Sequence, residues 1–269
     1  MMKETLDNKK NFLFIVLSGI FLTNAIVAEL IGVKIFSLEE TFGFAPAQIS
    51  FFSQYILDFN LTAGVVIWPV VFITTDIINE YFGKEGVKRI SYLTVLFITY
   101  IFLVIWIVTY LTPAEFWLDV NSHDNSGNYF NINYAFNKIF RQGAGIIVGS
   151  LFAFLVGQIL DVLVFHKLRK ITGSKMIWLR ATGSTLVSQL VDSFLVLFIA
   201  FYFLAPDNST WTVTQVISVG IINYIYKFVI AIIITPLLYV AHYLIDNYLG
   251  KDISEKMIEE AAVQSEALF

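Results

Sequence analysis

The 269-residue chain is 57% hydrophobic and 16% aromatic, with only 14% charged residues and a mean hydropathy of +0.74. A water-soluble chain typically carries about 25% charged residues to cover its surface, so a soluble enzyme and a disordered chain are both excluded. The absence of cysteine rules out disulfides, thiolate metal sites and a cysteine nucleophile, and the net charge of −4 argues against a nucleic-acid partner.

What remains is an all-α integral membrane protein. A helix needs roughly 20 apolar residues to cross the hydrocarbon, and six stretches qualify: 12–36, 61–81, 90–111, 144–165, 181–204 and 213–243. They predict a six-transmembrane-helix bundle over 12–245, preceded by a short cytoplasmic N-terminus (1–11) and followed by a cytoplasmic tail (246–269). The first stretch is too long for a secretory signal and lacks a small-residue cleavage site, so it reads as a retained helix.

Lys and Arg in short loops stay cytoplasmic. Thirteen of the 17 basic residues fall in the N-terminus, the second and fourth loops and the tail. Lys3, Lys84, Arg169, Lys175, Arg180 and Lys251 are among them, whereas the opposite loops hold only Lys138 and Arg141. Both termini are therefore expected in the cytoplasm. Residues 37–60 and 119–133 read as external connectors, the former acidic and aromatic enough to form a short amphipathic interfacial helix. The tail reads as a solvated helix without a lipidation signal.

A charge in the hydrocarbon costs on the order of 2.5–3.5 kcal/mol, so polar residues inside the spans are the candidates for function. In chain order they are Asn24 and Glu29, then Asp76, Asn79 and Glu80, Gln158 and Asp161, Gln189 and Asp192, and finally Asn223, Tyr226 and Lys227. The Gln-x-x-Asp pair recurs in the fourth and fifth spans, with each pair on one helical face. Asp192 lies 12 residues from Arg180, about 18 Å at about 1.5 Å per residue, which puts it near the bilayer midplane, and Lys227 is also central. Both read as functional, with a structural ion pair between the fifth and sixth spans as the alternative. Glu80 reads equally as an interfacial charge beside Lys84. Gly145, Gly149, Ala153 and Gly157 repeat every four residues, a spacing that lets helix backbones pack closely. Pro69 and Pro236 favour kinks.

No G-x-G-D or G-x-S-x-G motif accompanies the membrane acids, the three histidines lack metal-ligand spacing, and no phosphate-binding G-x-x-x-x-G-K-[ST] loop is present. No catalytic residue, metal or cofactor is therefore expected. A carrier with a small polar cavity fits best, because carboxylates accept N–H donors, amides donate and accept, and aromatics such as Trp68 and Tyr226 stack on a flat ring.

The segments TDIINEYFGKEGVKRI (75–90), VGQILDVLVFHKLRK (156–170), WLRATGSTLVSQLVDSFLVLFIAF (178–201) and YKFVIAIIITPLLY (226–239) resemble the queuosine precursor transporters of the vitamin uptake transporter family. The N-x-x-x-x-E-L-I-G-V-K of the first span (24–34) resembles that family's opening helix, and the loop around 112–140 is longer and more polar than its compact members have. The resemblance implies uptake of 7-cyano-7-deazaguanine, and of 7-aminomethyl-7-deazaguanine as a second substrate, across the bacterial inner membrane. The expected substrate-binding set is Asn24, Glu29, Trp68, Asp76, Gln158, Gln189, Asp192, Asn223, Tyr226 and Lys227. Asp192 and Gln189 would meet the 2-amino and ring N–H edge, Gln158 and Asn24 the carbonyl edge, and Lys227 would balance the central carboxylate. Glu29, Asp76 and Asp161 are placed to relay protons, and facilitated uptake with intracellular trapping is equally open. The alternative function is a substrate-binding subunit of an energy-coupling-factor-type transporter. Expected partners are the deazapurine and membrane lipid; a homo-oligomer stays open, and a partner ATPase is not expected.

Overall fold

In the computed structural model the described residues are 2–52, 54–141, 144–173, 176–205 and 210–266. Lys175, residues 206–209 and the last three residues of the tail lie outside them, as do the side chains of 2–6, 144 and 264–266. Along the chain, α1 (Met2–Ile31) leads into β1 (Ile35–Ser37), α2 (Leu38–Thr41), β2 (Ile49–Phe51), β3 (Tyr55–Leu57) and β4 (Asn60–Thr62). There follow α3 (Trp68–Val108), α4 (Glu115–Val120), α5 (Ile132–Phe140), α6 (Ala144–Thr172), α7 (Ile177–Leu197), α8 (Val213–Leu249) and α9 (Lys251–Glu266). Among the described residues five helices, α1, α3, α6, α7 and α8, are long and apolar enough to cross a membrane.

Burial is arranged for lipid rather than water. Tyr92, Leu96, Tyr100 and Leu103 of α3 and Phe228, Val229, Ile232 and Ile233 of α8 are exposed, while Asn79, Thr94, Arg180, Ser184 and Ser218 are among the most buried side chains. Backbone groups in a helix satisfy one another, which is what allows apolar side chains to face hydrocarbon.

The expected second and third spans form one 41-residue element, α3, broken at Gly83. Gly83 has φ 64° and ψ −169°, a region open essentially to glycine alone. A Cβ on Gly86 would lie 2.6 Å from Phe82 Cβ and 3.2 Å from Ile78 Cγ2. Residues eight apart in a straight helix are about 12 Å apart, so the segment after Gly83 doubles back beside the one before it. Pro69 sits in the first turn of α3 rather than inside it. It starts the helix, where its missing N–H costs nothing, and does not kink it. Pro236 does lie within α8.

Two expectations outside the bundle are corrected. Residues 37–60 form one turn of helix and short antiparallel ribbons, β1 with β4 and β2 with β3, not an amphipathic helix. The buried Glu39 carboxylate explains the change: it accepts the backbone N–H of Phe59 (2.8 Å) and of Ala47 (3.4 Å), which folds the loop around itself. Nor is the tail a solvated helix. Ser254, Met257 and Ala261 are buried, and α9 packs chiefly on α3, so its apolar stripe belongs to the core.

Candidate functional site

The glycine stripe positions the site. α6 and α7 run antiparallel in close contact: a Cβ on Gly149 would lie 3.2 Å from the Val196 carbonyl, one on Gly145 3.1 Å from Leu204, and one on Gly157 3.9 Å from Asp192 Cβ. With backbones this near, polar residues on the facing sides of α6 and α7 are buried together and meet those of α1, α3 and α8.

The first polar group lies halfway along the bundle. Lys227 of α8 donates to Asp192 of α7 at 2.5 Å, both partly buried. Next to it, Ser150 of α6 donates to Glu29 of α1 at 3.0 Å, and Glu29 is close enough to Asp192 for the two carboxyls to repel.

About two turns along α7 lies the second group. Asp161 of α6 is surrounded by the hydroxyls of Ser184, Thr185 and Ser188, with Ser188 Oγ at 3.4 Å. Asp76 of α3 faces Asp161 as a like charge. Gln158 is one turn away on α6 and lies 3.5 Å from the Ser91 hydroxyl. Asp76 also lines a cavity between α3, α7 and α8, bounded by Phe72, Thr182, Thr185, Ala231 and Thr235. Its free space is about 10 Å³, room for one water.

The third group closes the end of the bundle near α9. Arg180 is 1% exposed and donates to Glu80 Oε1 at 2.7 Å and to the Gly173 carbonyl at 2.5 Å. Arg169 lies 3.6 Å from Glu80 Oε2 and donates to the Ile258 carbonyl of α9 at 2.7 Å. Asn79 pairs with His166 at 3.0 Å. Tyr81 joins His242 and Asp246 of α8, which in turn accepts from Ser254 of α9.

The sequence-derived residues therefore separate. Glu29, Asp192 and Lys227 come together, and Asp76 joins Gln158 in the second group. Trp68 packs beside Phe72 and Phe154, with ring centroids 5.9 and 6.1 Å away. Asn24 spends one amide N–H on its own helix, at the Ile20 carbonyl. Gln189, Asn223 and Tyr226 are half-buried on α7 and α8. From the sequence, Arg169 and Arg180 read as loop charges, Asn79 is a candidate without a place in the binding set, and the hydroxyls of Ser184, Thr185 and Ser188 are not singled out. Arg180 carried no distinguishing signal, since a basic residue at the end of a span reads as a loop charge. The serines and threonine had none, because single hydroxyls are common in membrane helices.

The family described as "Putative vitamin uptake transporter" matches residues 62–241. A "Probable queuosine precursor transporter" from Bacillus subtilis is 32% identical over 70% of this chain and 76% of its own length. A protein of the same description from Haemophilus influenzae is 28% identical over 65% and 66% of the two chains. The "Queuosine precursor transporter" of Escherichia coli is 28% identical over 66% and 71%. No solved structure matches the chain significantly.

Proposed function

We propose that this chain, which belongs to the vitamin uptake transporter family and is a multi-pass membrane transporter rather than an enzyme, imports a queuosine precursor across the bacterial inner membrane, 7-cyano-7-deazaguanine first. The observation that carries the substrate is the name shared by the three relatives, each aligned over about two thirds or more of its length. The polar groups suit the ligand. A flat guanine-like base offers N–H donors on one edge and a carbonyl on another, and carboxylates, amides and aromatic faces complement them.

In this reading Asp192 and Gln189 take the 2-amino and ring N–H edge and Gln158 the carbonyl edge. Asn24 contributes the N–H it has left, an aromatic from Trp68 or Tyr226 stacks on the ring, and Asn223 lines the path. Lys227 keeps Asp192 charge-balanced while the site is empty. Space for one water at the cavity cannot hold a bicyclic base, so binding requires α3, α7 and α8 to part from one another. The fold-back at Gly83 supports six passes, with both termini cytoplasmic as the basic residues favour. The 15 residues 68–82 then make a short pass of about 22 Å, extended by the 3₁₀ turn at Ala63–Val66.

The decisive test is rescue of queuosine-modified tRNA in a bacterium lacking its own transporter and precursor synthesis, fed each precursor separately. Expression of this chain restores the modification with 7-cyano-7-deazaguanine, and Asp192→Asn, inserted normally, abolishes it. Wild-type rescue by Asp192→Asn overturns the residue assignment; failure with both precursors overturns the substrate.

A further inference from the structure

We propose that Asp76 and Asp161 form a proton-binding site, one proton shared between two carboxylates, that couples uptake to the proton gradient. The inference deepens the uptake reading and rests on it only for the word uptake; the site itself stands on geometry.

Both aspartates are more than nine-tenths buried, at 7% and 5% exposure. Thr185 of α7 borders both the cavity that Asp76 lines and the carboxyl of Asp161, so the two aspartates of α3 and α6 are neighbours across it. Among the described residues neither Asp76 Oδ1 nor Asp161 Oδ2 has a hydrogen-bond partner, and Asp76 lines the one-water cavity. A buried carboxylate oxygen without a partner carries a large desolvation cost, so something absent from the protein's own contacts must compensate it.

Charge counting says what. The surrounding titratable and charged groups are Glu80, Tyr81 and Lys84 on α3, His166, Arg169 and Lys170 on α6, Arg180 on α7, and His242 and Asp246 on α8, the last partly exposed and held by the hydroxyls of Tyr81 and Ser254. Glu29 of α1 belongs with Asp192 and Lys227, and the buried face of α9 (Ser254, Met257, Ala261) is uncharged. Lys84 is partly exposed and Lys170 exposed, so both are screened by solvent. His166 is engaged with Asn79 and His242 with Tyr81. The buried charges are therefore three carboxylates, Asp76, Asp161 and Glu80, against two guanidinium groups, Arg169 and Arg180. Both guanidinium groups are drawn to Glu80, and one negative charge is left over on the aspartate pair. A single proton neutralises it. Two adjacent carboxylates that cannot both ionise hold one proton between them, and the hydroxyls of Ser184, Thr185 and Ser188 hold Asp161 in place for it. The cavity that Asp76 lines offers that proton a water-sized route, and opening of the cavity during transport admits water to the pair and releases it.

The test uses the full chain in sodium-free lipid vesicles at neutral pH, read by infrared spectroscopy of protonated carboxyl groups. The wild type should show a protonated-carboxyl band that disappears in Asp76→Asn and equally in Asp161→Asn, because either change leaves two buried carboxylates matched by two guanidinium groups. The substitutions are read in a Glu29→Gln background, which removes the other buried carboxyl beside Asp192 and should leave the band of the aspartate pair in place. A band that survives both aspartate substitutions overturns the proposal. So does loss of the wild-type band on adding sodium chloride, which would give the site to a sodium ion and needs no variant to read. In the same vesicles, Asp161→Asn should keep counterflow of 7-cyano-7-deazaguanine while an imposed pH gradient no longer drives accumulation beyond equilibrium. Accumulation equal to wild type overturns the coupling. Absence of counterflow in the wild type strikes the substrate reading alone, since the infrared result decides the proton site without substrate.

Discussion

Arg180 shows how much one side chain can hold. With its partner gone, Glu80 would be a buried carboxylate held only by the longer contact to Arg169, and breaking a buried pair from one side costs about 3–5 kcal/mol. Arg180→Met should lower the melting temperature of the purified chain sharply, and adding Glu80→Gln should restore part of the loss because no net charge then stays buried. A loss unchanged by the second substitution would place the cost in packing against Phe165, over which the guanidinium lies at 5.7 Å. At Gly83 the argument is conformational: a Cβ in that backbone region costs about 1–3 kcal/mol. Gly83→Ala should destabilise the fold by that amount in thermal unfolding, against no effect if the turn relaxes. The two positions also mark what the residues disclosed. The pairing of Asp192 with Lys227 was readable as the structural alternative, because helix rise and hydropathy set both well inside their spans. Arg180 was not, because a cation at a span's end looks the same whether it faces water or turns inward to a carboxylate.

Elements outside the bundle carry more of the architecture than their composition announces. The long apolar runs were legible because lipid imposes length and hydropathy on a helix, whereas nothing in the 16-residue α9 records that α3 awaits its apolar stripe. Met257 is 3% exposed, and truncating such a side chain to alanine costs about 2–5 kcal/mol. Met257→Ala should therefore lower the melting temperature, whereas a solvated tail would leave it unchanged. The ribbon at 37–62 was misread for a related reason: its organiser is one carboxylate rather than a periodic pattern. Burial pushes the Glu39 carboxyl up, but the backbone N–H groups of Phe59 and Ala47 and the Ser37 hydroxyl together outweigh it and hold it below its ordinary 4.5. A lowered folded value means stabilisation that is fully present above 4.5 and lost as the pH falls through that lower value. Hydrogen exchange in residues 37–62, corrected for its intrinsic pH dependence, should accelerate on acidification below 4.5, and Glu39→Gln should show the faster rate already at neutral pH.

At the scale of the whole molecule the question is how the one-water cavity beside Asp76 would open to the flat base proposed as substrate. The three polar groups lie along one seam, from Glu29 and Asp192 through Asp76 and Asp161 to Glu80 and Arg180, and the last is fastened by Arg169 to α9. A seam closed at that end and filled at its middle must open for the proposed uptake, and the cavity wall between α7 and α8 is where we expect it to open. The hydroxyls of Thr182 and Thr235 touch across that interface at 2.8 Å, on the wall of the cavity. Because the chain has no cysteine, a Thr182→Cys, Thr235→Cys pair can be oxidised without background, and side chains already in contact fall within disulfide reach. The oxidised pair should lose at least tenfold in uptake rate and regain it on reduction, and saturating 7-cyano-7-deazaguanine should slow the oxidation by holding the helices apart. If the cross-linked protein transports at the uncross-linked rate, the moving interface lies elsewhere, and the seam between α3 and α6 that holds the aspartate pair becomes the one that must open.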